Sequence, residues 1–303
     1  MQGFVHTTGF APELLYPGLA AIWGQNYENY PKMYPKFMEM KTSDKRFEKE
    51  QGMSGFSLAS VKDEGDSVEF ARLVQGFQKE YNHTTYGLGA IITREMVEDD
   101  QYNVINKIPQ LLAEAMGRTE ETQATAVLNS GFDSTVTGAD GQPLFSLVHP
   151  NAGDQGGTQR NSPLTNADLT QTSLESAIID IMDFRDENNQ RMNFAAKALI
   201  VSRSDYFNAT KILQTKYKVG AADNDVNVIS NLNLDLVVTN YLIDQDAWFV
   251  KTNAQNGLTF YTRRAAGIER DNDISTQNLA IVTTERFDTG WTDWRGAWGS
   301  PGA

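Results

Sequence analysis

Residues 86–98 read Tyr86-Gly-Leu-Gly-Ala-Ile-Ile-Thr-Arg-Glu-Met-Val-Glu98. The first eight form a short apolar run with two glycines that let another backbone come close, which predicts a buried strand. A helix follows over 97–130. Glu95, Glu98, Asp99 and Asp100 put negative charge at its start, and Val104, Ile105, Ile108, Leu111, Leu112, Ala115 and Met116 keep helical spacing. Pro109 either kinks this helix or marks its true start. Residues 110–130 alone span about 30 Å, a long strut for a chain of 303 residues.

On the N-terminal side, residues 41–80 are densely charged and patterned as a hairpin: Phe56 and Leu58, then Lys62-Asp-Glu-Gly-Asp66, then Val68 and Phe70. Gly65 among acids signals the turn. So few apolar positions make no core, and an isolated two-stranded hairpin is marginal in water, so something outside the hairpin has to hold it. Residues 1–40 mix helix-capable turns around Leu14 and Leu19–Trp23 with Pro12, Pro17, Pro31 and Pro35. They predict an extended arm with one short helix. Its aromatics Trp23, Tyr27, Tyr30, Tyr34 and Phe37 need cover, either from a neighbouring subunit or from the arm's own domain.

On the C-terminal side, residues 130–163 are polar loops around the apolar island Pro143–Val148. A second helix, capped at Thr165 or Thr170, runs through Leu174, Ala177, Ile178, Ile181 and Met182. Strands at 198–202, 234–239, 247–252 and 258–261, with a short helix at 205–215, make a mixed α/β domain. A polar loop at 267–278, a strand at 279–284 and a tail with Trp291, Trp294 and Trp298 close the chain.

The formal net charge is −13, which repels phosphate backbones rather than gripping them. With no cysteine there are no disulfides, thiolate nucleophiles or zinc-thiolate sites. No apolar stretch reaches membrane-spanning length, and the first residues lack the pattern of a secretion signal. His6, His83 and His149 are far apart, and His149 sits before Pro150 in a predicted loop. Nucleophile elbow, phosphate loop, zinc-protease helix and dinucleotide fingerprint are all missing from the sequence. The acid clusters at 99–100, 223–225 and 271–273 fit no calcium-loop spacing and read as helix starts or solvated turns. The sequence therefore predicts no enzyme, cofactor or metal.

This order of parts resembles the tailed-phage major capsid proteins of the HK97 fold, in particular the Mu-like major head subunits. Beyond residues 86–98, the resemblance rests on Gly141-Gln-Pro-Leu-Phe-Ser-Leu-Val-His-Pro150 followed by Asn161 and Leu164. It rests also on Thr284-Glu-Arg-Phe287 with Gly290-Trp291 and Trp294-Arg-Gly296. It implies an α+β, HK97-like fold with an N-terminal arm (1–40), an extended β-hairpin loop (41–82) and a peripheral domain (83–164) carrying the spine helix 97–130. A mixed α/β axial domain (165–257) and return strands with a peripheral loop at 267–278 (258–303) complete it.

The resemblance also implies that copies of the chain assemble as hexamers and pentamers into a shell that encloses DNA without reading its sequence. Its assembly contacts would come from Phe56, Lys62, Asp63, Glu64, Asp66, Phe70, Arg72 and Lys79 on the extended loop. Glu269, Arg270, Asp271 and Asp273 would supply those of the peripheral loop. The arm starts near Met1, so a separate scaffolding protein, or a chain already processed, is implied. A portal is a further partner and a decoration protein an optional one, with no membrane involved. The expected location is the virion, and the host cytoplasm during assembly. Some relatives cross-link a loop lysine to a neighbour's asparagine, but no reacting pair can be matched here, so no cross-link is predicted. Three alternatives stay open: an encapsulin-type compartment shell sharing the fold; in a different class, an α/β hydrolase or metal-dependent enzyme; and a phage tail or decoration component.

Overall fold

The computed structural model describes residues 11–303, apart from 54, 57, 69, 71–74, 94, 97–98, 100–103, 154–156, 216–225 and 274–277. Its helices are α1 (Ala11–Asn29), α2 (Tyr34–Phe37), α3 (Val104–Asn129), α4 (Gln171–Met182) and α5 (Tyr206–Gln214). Its strands are β1 (Glu39–Thr42), β2 (Phe47–Met53), β3 (Gln75–Asn82), β4 (Thr84–Ile92), β5 (His149–Pro150), β6 (Thr158–Gln159) and β7 (Ala196–Ser202). They continue with β8 (Asp235–Thr239), β9 (Trp248–Thr252), β10 (Leu258–Asp273), β11 (Asn278–Trp291) and β12 (Ala297–Ser300).

The apolar run that opens the sequence reading is β4, paired antiparallel with β11 from Thr84↔Phe287 to Ile92↔Leu279. β11 pairs in turn with β10, and β1 adds parallel to β10, giving the order β1-β10-β11-β4. Alternate residues of this sheet, Ile92, Leu279 and Ile281, turn to one face, where Ile105, Leu112 and Ala113 of α3 cover them. The strut is therefore present, but its regular helix begins at Val104. Glu95 and Asp99 lie ahead of it, and Glu98 and Asp100 fall outside the described residues. Pro109 neither starts the helix nor ends it; it is buried within the second turn, where its missing N–H forfeits a single backbone bond.

Three expectations are corrected. The arm is not extended: α1 is helical over 19 residues with Pro17 inside. Leu19 and Trp23, one turn apart, bury against α3, and Tyr27 stacks on Trp23 at 5.0 Å between ring centroids. The arm's own domain thus covers these aromatics. The hairpin's ladder is β2–β3, from Phe47↔Asn82 to Met53↔Gln75, and residues Phe56, Leu58, Val68 and Phe70 form no strand. Its turn does fall where expected, with Gly65 at φ +91° and the Asp66 N–H donating to Asp63 O at 3.2 Å. Residues 267–273 and 278 are not loop: they are the ends of β10 and β11, paired out to Asp273↔Asn278, because the long antiparallel ladder overrides their polar composition, while 274–277 lie outside the described residues.

The second sheet runs β12-β9-β7-β8, with β7 and β8 parallel. Successive residues of β7 point to opposite faces. Leu199 and Val201 meet α4, α5, Trp248 and Trp298, while Ala198 and Ile200 meet Leu128, Phe145 and Phe249. Burial on both faces explains why 198–201 is continuously apolar. Of the two cap candidates, Thr170 starts α4, in a reciprocal box with Ser173.

The two sheets are stitched where Gly257 meets Gly296. A Cβ on Gly296 would sit 2.3 Å from Gly257 Cα, and one on Gly257 would sit 2.6 Å from Gly296 Cα. Neither backbone can yield, so Gly296→Ala is expected to destabilise the subunit by about 3 kcal/mol in urea denaturation, at the upper end for overpacking. A change within about 0.5 kcal/mol would show that the approach relaxes freely.

Candidate assembly surface and the network behind it

Between β2 and β3 the chain presents Phe56, Leu58, Val61, Val68 and Phe70 to solvent, with Val61 94% and Phe70 95% exposed. Lys62, Asp63, Glu64 and Asp66 are exposed beside them, so these six candidate loop residues form one surface. Arg72 lies outside the described residues. Lys79 does not belong to that surface: it is at the hairpin root, over the Trp291 ring at 5.3 Å and within 3.5 Å of Thr137 O.

The root, unlike the tip, is firmly held. Tyr81 is buried and hydrogen-bonds Thr292 at 2.8 Å, and Asn188 Nδ2 donates to Gly55 O at 2.8 Å. Glu50 of β2 accepts from Thr292 Oγ1 at 2.6 Å and also from Tyr261 and Lys41, and Lys41 donates to Asn256 Oδ1 at 2.8 Å. Burial pushes the Glu50 carboxyl up, but the bonds from Lys41, Thr292 and Tyr261 outweigh it and hold it below the usual carboxylate range. An apolar tip is therefore displayed on a fixed, ionised base.

The peripheral candidates separate. Glu269 and Asp271, two residues apart on β10, are both exposed on one face of the sheet. Arg270 is half-buried on the opposite face, opposite Ile281. Asp273 pairs with Asn278 through its backbone.

Behind these surfaces is a polar hub that the sequence reading places in a loop. His149 is fully buried, stacked on Trp294 at 4.4 Å and 5°. Its Nδ1 is 2.6 Å from Asp140 Oδ2 and its Nε2 is 3.0 Å from Asn161 Oδ1. Asn161 Nδ2 is committed to three carbonyls, Leu144 O at 2.7 Å, Ala297 O at 3.0 Å and Trp294 O at 3.2 Å. Its Oδ1 is thereby fixed as the acceptor for Ser146 N–H and for His149 Nε2–H. Both ring nitrogens of His149 are thus engaged within the core. Next to it, buried Arg295 pairs with Glu187 at 2.9 Å and Asp293 at 3.2 Å and donates to Arg185 O at 2.7 Å.

Among the described residues no group of three His, Asp or Glu side chains is placed to hold a metal ion, and no helix is long and apolar enough to cross a membrane. The wide groove of about 570 Å³ beside α4 is lined by Gln159, Arg160, Asp180 and Arg185. Arg160 there is paired to Asp180 at 2.9 Å.

A family model described as phage capsid protein matches residues 77–299, which takes in most of the hairpin's return strand, the strut, the buried hub and both sheets apart from β1. The chain belongs to the phage capsid protein family. Among curated proteins nothing matches it by sequence. Among solved structures, a capsid protein of family-like fold is found in the native GTA particle, with TM-score 0.57, 9% identity and coverage of 88% of each chain. The procapsid of bacteriophage JBD30 gives TM-score 0.54 at 14% identity over 97% of this chain and 76% of its own. The virus-like particle from Pyrococcus furiosus gives TM-score 0.54 at 11% identity over 94% and 99%. At such identities the likeness is one of fold, and it makes this phage capsid chain an α+β protein of the HK97-like architecture.

Proposed function

We propose that this phage capsid protein is the major head subunit of a tailed bacteriophage, self-assembling as hexamers and pentamers into an icosahedral shell around double-stranded DNA. Within the family, the Gly141–Pro150 stretch with Asn161 supports a place among the Mu-like head subunits. The observation that carries the reading is the rigidly rooted loop whose apolar tip has no core of its own. A neighbouring copy supplies that core, and a heterologous contact of this kind closes into rings when its rotation allows. The exposed Glu269 and Asp271 edge of the peripheral sheet meets other capsomers. An acidic subunit lets packed DNA slide without sticking. Assembly takes place in the host cytoplasm with a separate scaffolding protein and a portal, and the outer surface is open to a decoration protein. The role is structural, without catalysis.

The likeness to the Pyrococcus furiosus particle, covering 99% of that chain, favours a second reading, an encapsulin-type shell around folded protein. Negative-stain microscopy of particles recovered with the chain, followed by nuclease treatment, separates the two. Closed shells protecting DNA are expected; shells filled with folded protein support the second reading. A monodisperse monomer under every assembly condition would sink both.

A further inference from the structure

Where α1, α2, α3 and β11 meet, three carboxyl groups share one buried space. Glu120 and Glu121 come from α3 and Glu285 from β11, all less than a tenth exposed. Glu120 accepts hydrogen bonds from the hydroxyls of Tyr27 on α1 and Tyr34 on α2, the latter at 3.3 Å, and pairs with Lys32 at 2.7 Å. Glu121 accepts from the backbone N–H groups of Met33 and of Tyr34, the latter at 3.1 Å. Glu285 faces Glu120, and two buried carboxyls so close ionise together only against their mutual repulsion. One oxygen each of Glu121 and Glu285 is buried with no partner.

The surroundings do not compensate for this charge. Lys32 is the cation in ion-pair reach among the described residues; Tyr27, Tyr30, Tyr34 and Tyr86 are the other titratable groups around the cluster, and Arg118 lies further out beside Tyr30.

We propose that Glu120, Glu121 and Glu285 form a proton-dependent latch. It ties α1 and the 30–34 turn to the strut helix and the peripheral sheet while Glu285 is protonated, and it opens when that proton is lost. Burial and then Glu120 push the Glu285 carboxyl up to about 9, and burial pushes Glu121 up as well. The sign follows from linkage. A closed latch that keeps its proton up to about pH 9 opens to a solvated carboxyl that releases it above its ordinary 4.5, so closure is strongest in acid and weakens as pH rises. With one proton linked, the opening equilibrium rises about tenfold per pH unit across that window and flattens above it.

The test is amide hydrogen exchange of the full-length, unassembled subunit at pH 6, 7 and 8, corrected for the intrinsic base-catalysed rate and read on peptides spanning 19–34. In wild type, protection is expected to fall about tenfold per pH unit. In Glu285→Gln, which keeps the shape without the titrating proton, that slope disappears. Glu285→Leu is expected to do the same and carries the test if the first variant folds poorly. Equal slopes in wild type and a folded variant would overturn the latch. Because the subunit is unassembled, the result is independent of whether shells form.

Discussion

Replacing Phe56, Leu58, Val61 and Phe70 together by serine is expected to leave the subunit folded and to cut the yield of closed particles at least ~100-fold. All four side chains are exposed in the isolated chain, so removing them takes nothing from its core. On the proposed reading each moves from water to an apolar contact in the shell, stabilising it by about 1.5–3 kcal/mol. Four such contacts amount to roughly 6–12 kcal/mol per interface, before the cost of ordering the loop is subtracted. A tenfold change in association needs only about 1.4 kcal/mol, so even half of that total, about 3–6 kcal/mol, exceeds a hundredfold. Gel filtration and negative-stain microscopy read the assembly, and a thermal melt reads the fold. Shells at wild-type yield would remove the loop from the interface. A melt lowered by more than about 5 °C would mean that its apolar residues pack within their own subunit.

Asn161→Ala should have the largest effect on the fold itself. The substitution strands three buried carbonyls, of Leu144, Trp294 and Ala297, together with the Ser146 N–H and His149 Nε2–H. Each buried group left without a partner costs about 1–3 kcal/mol. Two of the strands and turns tied at this point are more than 130 residues away along the chain, at Trp294 and Ala297, so no local rearrangement replaces the bonds. A loss of about 5 kcal/mol is expected, comparable with the whole stability of many domains. The variant should be recovered aggregated, or melt about 10 °C or more below wild type. A melt within about 3 °C would show that water reaches the site and takes over the amide's bonds.

The sequence was legible where period and burial coincide. Val104 to Met116 keeps helical spacing because one face of α3 covers the peripheral sheet, and 198–201 is apolar throughout because β7 is covered on both sides. It was illegible where a partner lies far along the chain. Residues 267–273 are polar, and only their ladder with Asn278–Thr284 makes them a strand. Pro12 and Pro17 suggested a broken arm, but Pro12 falls in the first turn, where proline is tolerated, and the burial of Leu19 and Trp23 against α3 carries the helix past Pro17. In the extended loop, alternation at Phe56–Leu58 and Val68–Phe70 resembled an internal ladder, whereas these positions are the exposed tip and the ladder lies nearer the body. His149 looked like a loop histidine because the groups that bury it, Asn161 and Trp294, are 12 and 145 residues away. The one readable signal was their joint presence in the segments Gly141–Pro150, Asn161 and Trp294–Gly296.

The parallel pairing of β1 with β10 sets a schedule for the nascent chain. Glu39 finds its sheet partner Thr259 only after some 220 further residues have been made, and β4 waits almost as long for β11. At about 5–20 residues per second, the N-terminal third spends on the order of 10–40 s outside the ribosome without its sheet. During that interval the hairpin root has no Thr292 or Tyr261 to grip, so the apolar tip is not yet aimed at anything. Synthesis thus delays a firmly rooted loop until the C-terminal strands have been made.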